Sequence, residues 1–494
     1  MKKLIILILV GLVGSNTGHA KPNILFIFAD DLSYKTAGFN GNDVVKTPNL
    51  DRIAAQGTVF EKAYNMGSWV PAVCHSSRTM LNTGKFLWRS KEVEQAYNAG
   101  KVTRQIASQL WARRMQQAGY NTYMTGKWHV DVPAALVFDS IGTERAGMPL
   151  QKNRRYLRSF DPQQDSWSPY DQTMGGYWQG GKHWSEVQAD EAIDFLRHYQ
   201  DDKPFFVYLA FNAPHDPRQA PKKYQDLYPI STLSLPENFI PRPNSELMEA
   251  MGIKRKAETP KVISPAFPLG TLLRDEALAP YPRTEYSVKV NRQEYYAAIS
   301  HMDKQIGRVV AQLKQRGELD NTLIIFTADH GLAIGEHGLM GKQNMYEHSL
   351  AAPLFLTGPG IPKGKIRKQL IYLQDAMATS LEVAEADLDG IEFKSLLPLV
   401  NDARKTSYSS IYGAYMNFQR AIIKDNLKLI LYPDNKKVAL FDLQQDPNEI
   451  RNLAGQPEHW NKVRQLFNLL IAKQKDMGDT LDLVTSYPEL LSQK

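Results

Sequence analysis

The chain has 494 residues, with 59 basic and 52 acidic side chains, a formal net charge of +7 and a single cysteine. One cysteine excludes an intrachain disulfide framework. A mild basic excess with no Lys/Arg cluster argues against nucleic acid as a partner, and the length suits two or three domains, or one large α/β unit with an appendage.

In chain order, Met1-Lys2-Lys3, the apolar run Leu4 to Val13 and small residues ending at Ala20 have the build of a secretory leader cleaved before Lys21. The run falls short of the ~20 residues that a membrane span needs. No cysteine stands at the cleavage point to carry a lipid. A periplasmic or secreted protein without a membrane anchor is therefore expected, with 57 basic against 52 acidic residues after cleavage.

Short apolar runs that read as buried parallel strands follow, each handing over to polar residues. Asn23 to Ala29 delivers Asp30-Asp31, and Tyr120 to Thr125 leads into Gly126-Lys127-Trp128-His129. Pro204 to Phe211 delivers Asn212-Ala213-Pro214-His215, and Thr322 to Ala328 delivers Asp329-His330-Gly331. Pro353 to Thr357 ends in a Gly-Pro-Gly turn. The apolar spacing predicts helices over Val102 to Gly119 and Tyr295 to Arg316. Strands alternating with helices predict a mainly parallel sheet with helices on both faces. Ligand sites in such sheets lie outside the carboxyl ends of the strands, where these polar residues gather.

Two stretches break the rhythm. Residues 131–185 are rich in aromatic residues, including Trp167, Tyr170, Tyr177, Trp178 and Trp184, and residues 229–282 hold nine prolines. The aromatic group suits either a sugar-stacking surface or loop anchors in a core. Past residue 405 the pattern becomes short strands at Ala421 to Ile423, Leu427 to Tyr432 and Val438 to Phe441, then a helix over 459–477. We therefore expect a leader at 1–20, a catalytic domain at 21–404 and a smaller C-terminal antiparallel sheet with a packed helix at 405–494.

Adjacent carboxylates at a strand end repel each other unless a cation lies between them, and oxygen donors favour calcium or magnesium. Helix-capping aspartates are the alternative for Asp30 and Asp31 alone. Asp329 and His330 bring a third carboxylate and an imidazole to the same sheet edge. The only cysteine opens the run Cys74-His75-Ser76-Ser77-Arg78, with Thr83-Gly84-Lys85 further on. A free thiol can also pack as a small hydrophobe.

The Cys74 run resembles the signature of the type I, formylglycine-dependent sulfatases: cysteine-x-proline-serine-arginine, then threonine-glycine. Ser76 stands where that family has proline. Gly126-Lys127-Trp128-His129, Asn212-Ala213-Pro214-His215-Asp216-Pro217 and Gly341-Lys342-Gln343-Asn344 are similar to further motifs of the family, in its order. The histidine after Asp329 is most similar to the iduronate-2-sulfatase branch and its bacterial polysaccharide-sulfatase relatives. The resemblance runs from Pro22 to about Leu453 and implies the alkaline-phosphatase-like α/β fold.

It further implies that a maturation enzyme oxidises Cys74 to formylglycine. One divalent cation, usually calcium and less often magnesium, is then held by Asp30, Asp31, residue 74, Asp329 and His330. Arg78, Lys127 and Lys342 would meet the sulfate charge, His215 the leaving oxygen and His129 the hydroxyls of residue 74. The implied activity is sulfate-ester hydrolysis on a sulfated polysaccharide or its oligosaccharides. A phosphonate or phosphate monoester hydrolase of the same superfamily, or a catalytically silent carbohydrate-binding relative, is the alternative.

Overall fold

The computed structural model describes residues 21–100, 103–149, 156, 158–159, 161–239, 279 and 283–491. The expected leader at 1–20 and most of the proline-rich stretch after 239 lie outside the described residues.

The core is an eight-stranded sheet. Its order is Lys365–Arg367, Gly57–Tyr64, Ala351–Thr357, Thr322–Ala328, Asn23–Ala29, Phe205–Ala210, Asn121–Lys127 and Ser140–Arg145. Asn23–Ala29, buried along its whole length, lies between Phe205–Ala210 and Thr322–Ala328 and is parallel to both. Burial on both faces explains why these runs are continuously apolar and do not alternate. The Ala351–Thr357 strand is antiparallel to both of its neighbours, so the sheet is mixed on that side.

The helix read from Tyr295 onward begins earlier and spans Glu285–Gln315. Thr284 and Ser287 close a reciprocal capping box at its start, which periodicity alone does not reveal. The single helix read over 102–119 is two helices, Thr103–Ser108 and Trp111–Gln117, with Leu110 extended between them. Leu110 and Trp111 are both buried. Consecutive residues of one helix point about 100° apart, so a break lets both reach the core. Trp111 also donates its indole N–H to Ser380 Oγ at 2.8 Å.

A second sheet of five strands runs Lys437–Asp442, Leu427–Tyr432, Gln419–Lys424, Ile411–Tyr415 and Gly67–Ser68. Four of them form an antiparallel meander under the helix Trp460–Met477; the fifth comes from the N-terminal part of the chain and is parallel to Ile411–Tyr415. Gly67 makes that junction possible. Its φ is 98°, and a Cβ there would lie 1.9 Å from the Ala414 carbonyl oxygen.

Candidate active site at the carboxyl edge of the sheet

Cys74 is the second residue of the helix Val73–Thr83 and so lies at the positive end of its dipole. Its thiol, almost fully buried, lies 3.5 Å from His129 Nδ1. Burial pushes the thiol up, but Lys127, Lys342 and His129 together outweigh it and bring it well below the ordinary thiol range. Ser76, in the family's proline position, is buried in the first turn, and its hydroxyl lies 2.7 Å from Ser68 Oγ.

Asp30 and Asp31 leave the end of the first strand in different conformations. Asp31 has φ 69°, a left-handed backbone that aspartate tolerates better than most residues. Two contacts hold it there. Tyr295 donates its hydroxyl to the Asp31 carbonyl at 2.6 Å, and Asp31 N donates to Asp329 Oδ1 at 3.1 Å. Tyr295 carries no signal in the sequence, because Asp31, the residue it braces, lies 264 positions away in the chain.

The three aspartates are fully buried together. Burial, with Asp329 next, pushes the Asp30 carboxyl well above the ordinary range, and burial also raises Asp31. Burial acts against Asp329 as well, but His330 and Arg78 outweigh it and hold that carboxyl far below the usual range. Arg78 is completely buried beneath this group. It donates Nε to Asp329 Oδ2 at 3.0 Å and Nη1 to the Lys127 carbonyl at 2.6 Å, and Nη2 lies 3.8 Å from Asp30 Oδ1. Arg78 therefore clamps the acidic loops together as well as supplying charge.

The two lysines bracket the carboxylates. Lys127 Nζ pairs with Asp30, and Lys342 Nζ lies 2.7 Å from Asp31 Oδ1. His215 Nδ1 faces the Asp216 carbonyl at 2.7 Å and so carries hydrogen there, leaving Nε2 3.7 Å from Asp31 Oδ2. His330 Nδ1 is likewise committed to the Gly331 carbonyl at 2.8 Å. Its Nε2, 3.3 Å from Asp31 Oδ1 and 3.5 Å from Asp329 Oδ1, makes no hydrogen bond.

This arrangement fits a cation. Donor atoms of Asp30, Cys74, Asp329 and His330 all lie within 4.8 Å of one another, and Asp30, Asp31 and His215 form an overlapping group. Asp30 Oδ1, like His330 Nε2, is buried without a hydrogen bond. An imidazole fixed by a carbonyl at Nδ1 presents its lone pair at Nε2, the usual form of a metal-ligating histidine.

Lys127 and His129 do not share a strand face. The strand ends at Lys127, and His129 lies beyond it with φ 56°. The backbone reversal, not the alternation of a strand, turns its ring toward Cys74. The aromatic group at 167–184 is divided: Trp167 and Tyr177 are buried, Trp178 is half-buried, Trp184 is half-buried on the Arg145 guanidinium, and Tyr170 is exposed. His75, the residue after Cys74, lies with its ring centroid 5.3 Å from that of His129 and its Nε2 2.6 Å from Glu94. His337 stacks on Tyr346, with ring centroids 4.2 Å apart.

A buried cysteine at a helix N-terminus, a carboxylate cluster and flanking lysines, all at one edge of an alkaline-phosphatase-like sheet, make a site suited to an anionic ester. The sulfatase family profile matches residues 22–386, and the profile "N-sulphoglucosamine sulphohydrolase, C-terminal" matches residues 335–476. The chain belongs to the sulfatase family and is a sulfuric ester hydrolase.

Among its relatives, an arylsulfatase of Clostridium perfringens is 28% identical, over 95% of this chain and 98% of that protein. An N-acetylglucosamine-6-O-sulfatase of Bacteroides thetaiotaomicron is 26% identical, over 93% and 87%. A solved complex with the substrate D-glucosamine-2-N,6-O-disulfate superposes with a TM-score of 0.67 at 24% identity, covering 93% of this chain and 98% of that one. The phosphonate monoester hydrolase of Agrobacterium radiobacter shares the fold, with a TM-score of 0.68 at 18% identity over 92% and 96% of the two chains.

Proposed function

We propose that this protein removes sulfate from a sulfated polysaccharide or its oligosaccharides, using formylglycine made from Cys74. The convergence of Cys74, Asp30, Asp31, Asp329 and His330 with Lys127 and Lys342 is the observation that carries this reading. The sugar assignment is supported by the amino-sugar sulfates named for two of its relatives. A divalent cation, calcium by the oxygen-rich donor set, would be held by Asp30, Asp31, residue 74, Asp329 and His330; when bound it supplies positive charge for the sulfuryl oxygens and lowers the pKa of the nucleophile.

The chain's own residues do the rest. Lys127 and Lys342 bind the sulfate oxygens, which lowers the repulsion that an anionic ester presents to a nucleophile. Arg78 keeps Asp329 ionised and in place. His215, its Nδ1 anchored on the Asp216 carbonyl, directs Nε2 at the leaving oxygen and protonates it. Burial, the largest influence, lowers the His129 imidazole overall, which favours the neutral ring that takes a proton from residue 74 as sulfate departs. An aldehyde hydrate has a second hydroxyl for that step, which a serine or cysteine side chain lacks. The leader at 1–20 supports secretion or delivery to the periplasm. Among the described residues, no helix is long and apolar enough to cross a membrane.

Mass spectrometry of the peptide containing residue 74 tests the nucleophile. Sulfate release from a panel of sulfated saccharides, set beside aryl phosphate and phosphonate ester cleavage, tests the substrate. An unmodified thiol in fully active protein, or a preference for the phosphorus esters, would sink the reading. Treatment with a chelator should abolish turnover, and calcium should restore it.

A further inference from the structure

We propose that the C-terminal sheet is part of the catalytic apparatus because two of its buried side chains, Gln419 and Lys428, position Lys342. The inference rests on the assignment of Lys342 to sulfate binding made above.

Lys342 sits in an irregular segment between the short strand Met340–Gly341 and the short helix Glu347–Leu350. Its own N–H is taken by the Gln343 side chain at 3.2 Å and not by a strand neighbour. A loop of this kind does not hold a four-carbon side chain to a fraction of an ångström unless something fixes its peptides. Two residues of the C-terminal sheet do so. Gln419 Nε2 donates to the Gln343 carbonyl at 3.1 Å, and Lys428 Nζ donates to the Met345 carbonyl at 3.0 Å. Both side chains are fully buried, on adjacent strands.

Lys428 also fixes the loop at its far end. It forms ion pairs with Glu347 at 2.7 Å and Glu449 at 2.8 Å, while Glu449 accepts the Glu347 N–H at 2.7 Å. Lys62, from the large sheet, reaches the other Glu347 oxygen at 2.7 Å. A buried charge network is a poor source of net stability, because apolar side chains could fill the same space at less desolvation cost. What it supplies is geometry. It ties the large sheet, the Lys342 loop and the C-terminal sheet at one point. The profile match over 335–476 covers both this loop and the C-terminal sheet.

The test is a double-mutant cycle on the full-length enzyme. Gln419→Met and Lys428→Met are each made alone and with Lys342→Ala, and kcat and KM are measured for sulfate release from an ester that the wild type cleaves. A displacement of Lys342 by about 1 Å predicts a loss of roughly tenfold to hundredfold in kcat/KM for each single variant. That loss should fall in whichever parameter Lys342→Ala changes, and each variant should then cost less than about threefold in the Lys342→Ala background. Losses that multiply in the double variants would overturn the proposal, as would a Gln419→Met enzyme with wild-type kinetics. If Lys342→Ala itself turns over normally, the sulfate-binding assignment fails instead, and the positioning argument falls with it. Gln419→Met loses one neutral hydrogen bond and should keep its melting temperature within a few degrees, so it decides the question even if Lys428→Met does not fold.

Discussion

Cys74 shows how much a single side chain owes to its surroundings. The helix N-terminus, Lys127, Lys342 and His129 stabilise an anion at that position, the same requirement a deprotonated hydroxyl would have. Cys74→Ala should cut turnover by about 10⁴-fold or more while leaving the melting curve unchanged, since only one small buried group is removed. Asp375 has a different consequence. It accepts hydrogen bonds from Lys394 N at 2.9 Å, the Tyr408 hydroxyl at 2.8 Å and Tyr372 N at 3.0 Å, yet burial raises its carboxyl to about 7. The folded state therefore binds a proton between pH 4 and 7 that the unfolded state has released. Its contribution is present below about pH 4 and is lost as pH rises to 7. The stability advantage of the wild type over Asp375→Asn should shrink by up to about 4 kcal/mol across that window. Denaturant titrations at pH 4.5, 5.5 and 7 would read it, and an advantage that grows with pH would contradict the sign.

Secondary elements deliver the site more than any single contact does. The strands ending at Ala29, Lys127, Ala210 and Ala328 run side by side, so the residues that follow them meet at one edge. This was legible in the apolar runs, because buried parallel strands are continuous and their polar ends stand out. The backbone reversals were not legible. Asp31 and His129 both adopt left-handed φ values, which depend on partners far away in the chain. Gly126 is the most demanding position. Its φ is 105°, and a Cβ would lie 1.8 Å from the Ala210 carbonyl oxygen, inside the pairing of two core strands. Gly126→Ala should lower stability by roughly 2 kcal/mol or more and displace Lys127, the next residue, with a loss of activity larger than the fraction unfolded explains. Thermal melts and active-site kinetics on the same sample would separate the two effects.

At the level of the whole molecule, the expected boundary near residue 404 divides units that are interlocked. Gly67–Ser68 extends the small sheet, and Lys428 reaches back to Glu347. A chain ending at residue 404 would leave Glu347 buried with only Lys62 as a counter-ion and uncover the apolar face that the meander occupies. Loss of one member of a buried charge group costs about 3–5 kcal/mol. The truncated protein should therefore be aggregated or unfolded by size-exclusion chromatography and circular dichroism, and a soluble, cooperatively melting 21–404 fragment would contradict this.

Cys74, the three aspartates, the histidines and the two lysines stood out in the sequence as candidates because each follows an apolar strand, or lies in a short motif whose spacing is local. The family and the reaction class follow from those motifs. Tertiary structure decided what local spacing cannot carry. It turned His129 onto Cys74, set Arg78 beneath the carboxylates and Tyr295 against Asp31, and buried Trp167 and Tyr177 of the aromatic group. It also joined the C-terminal sheet to the Lys342 loop through Gln419 and Lys428. The physical reason is the same throughout: a side chain's chemistry is fixed by its type, but its direction and charge state depend on which distant residues are buried beside it.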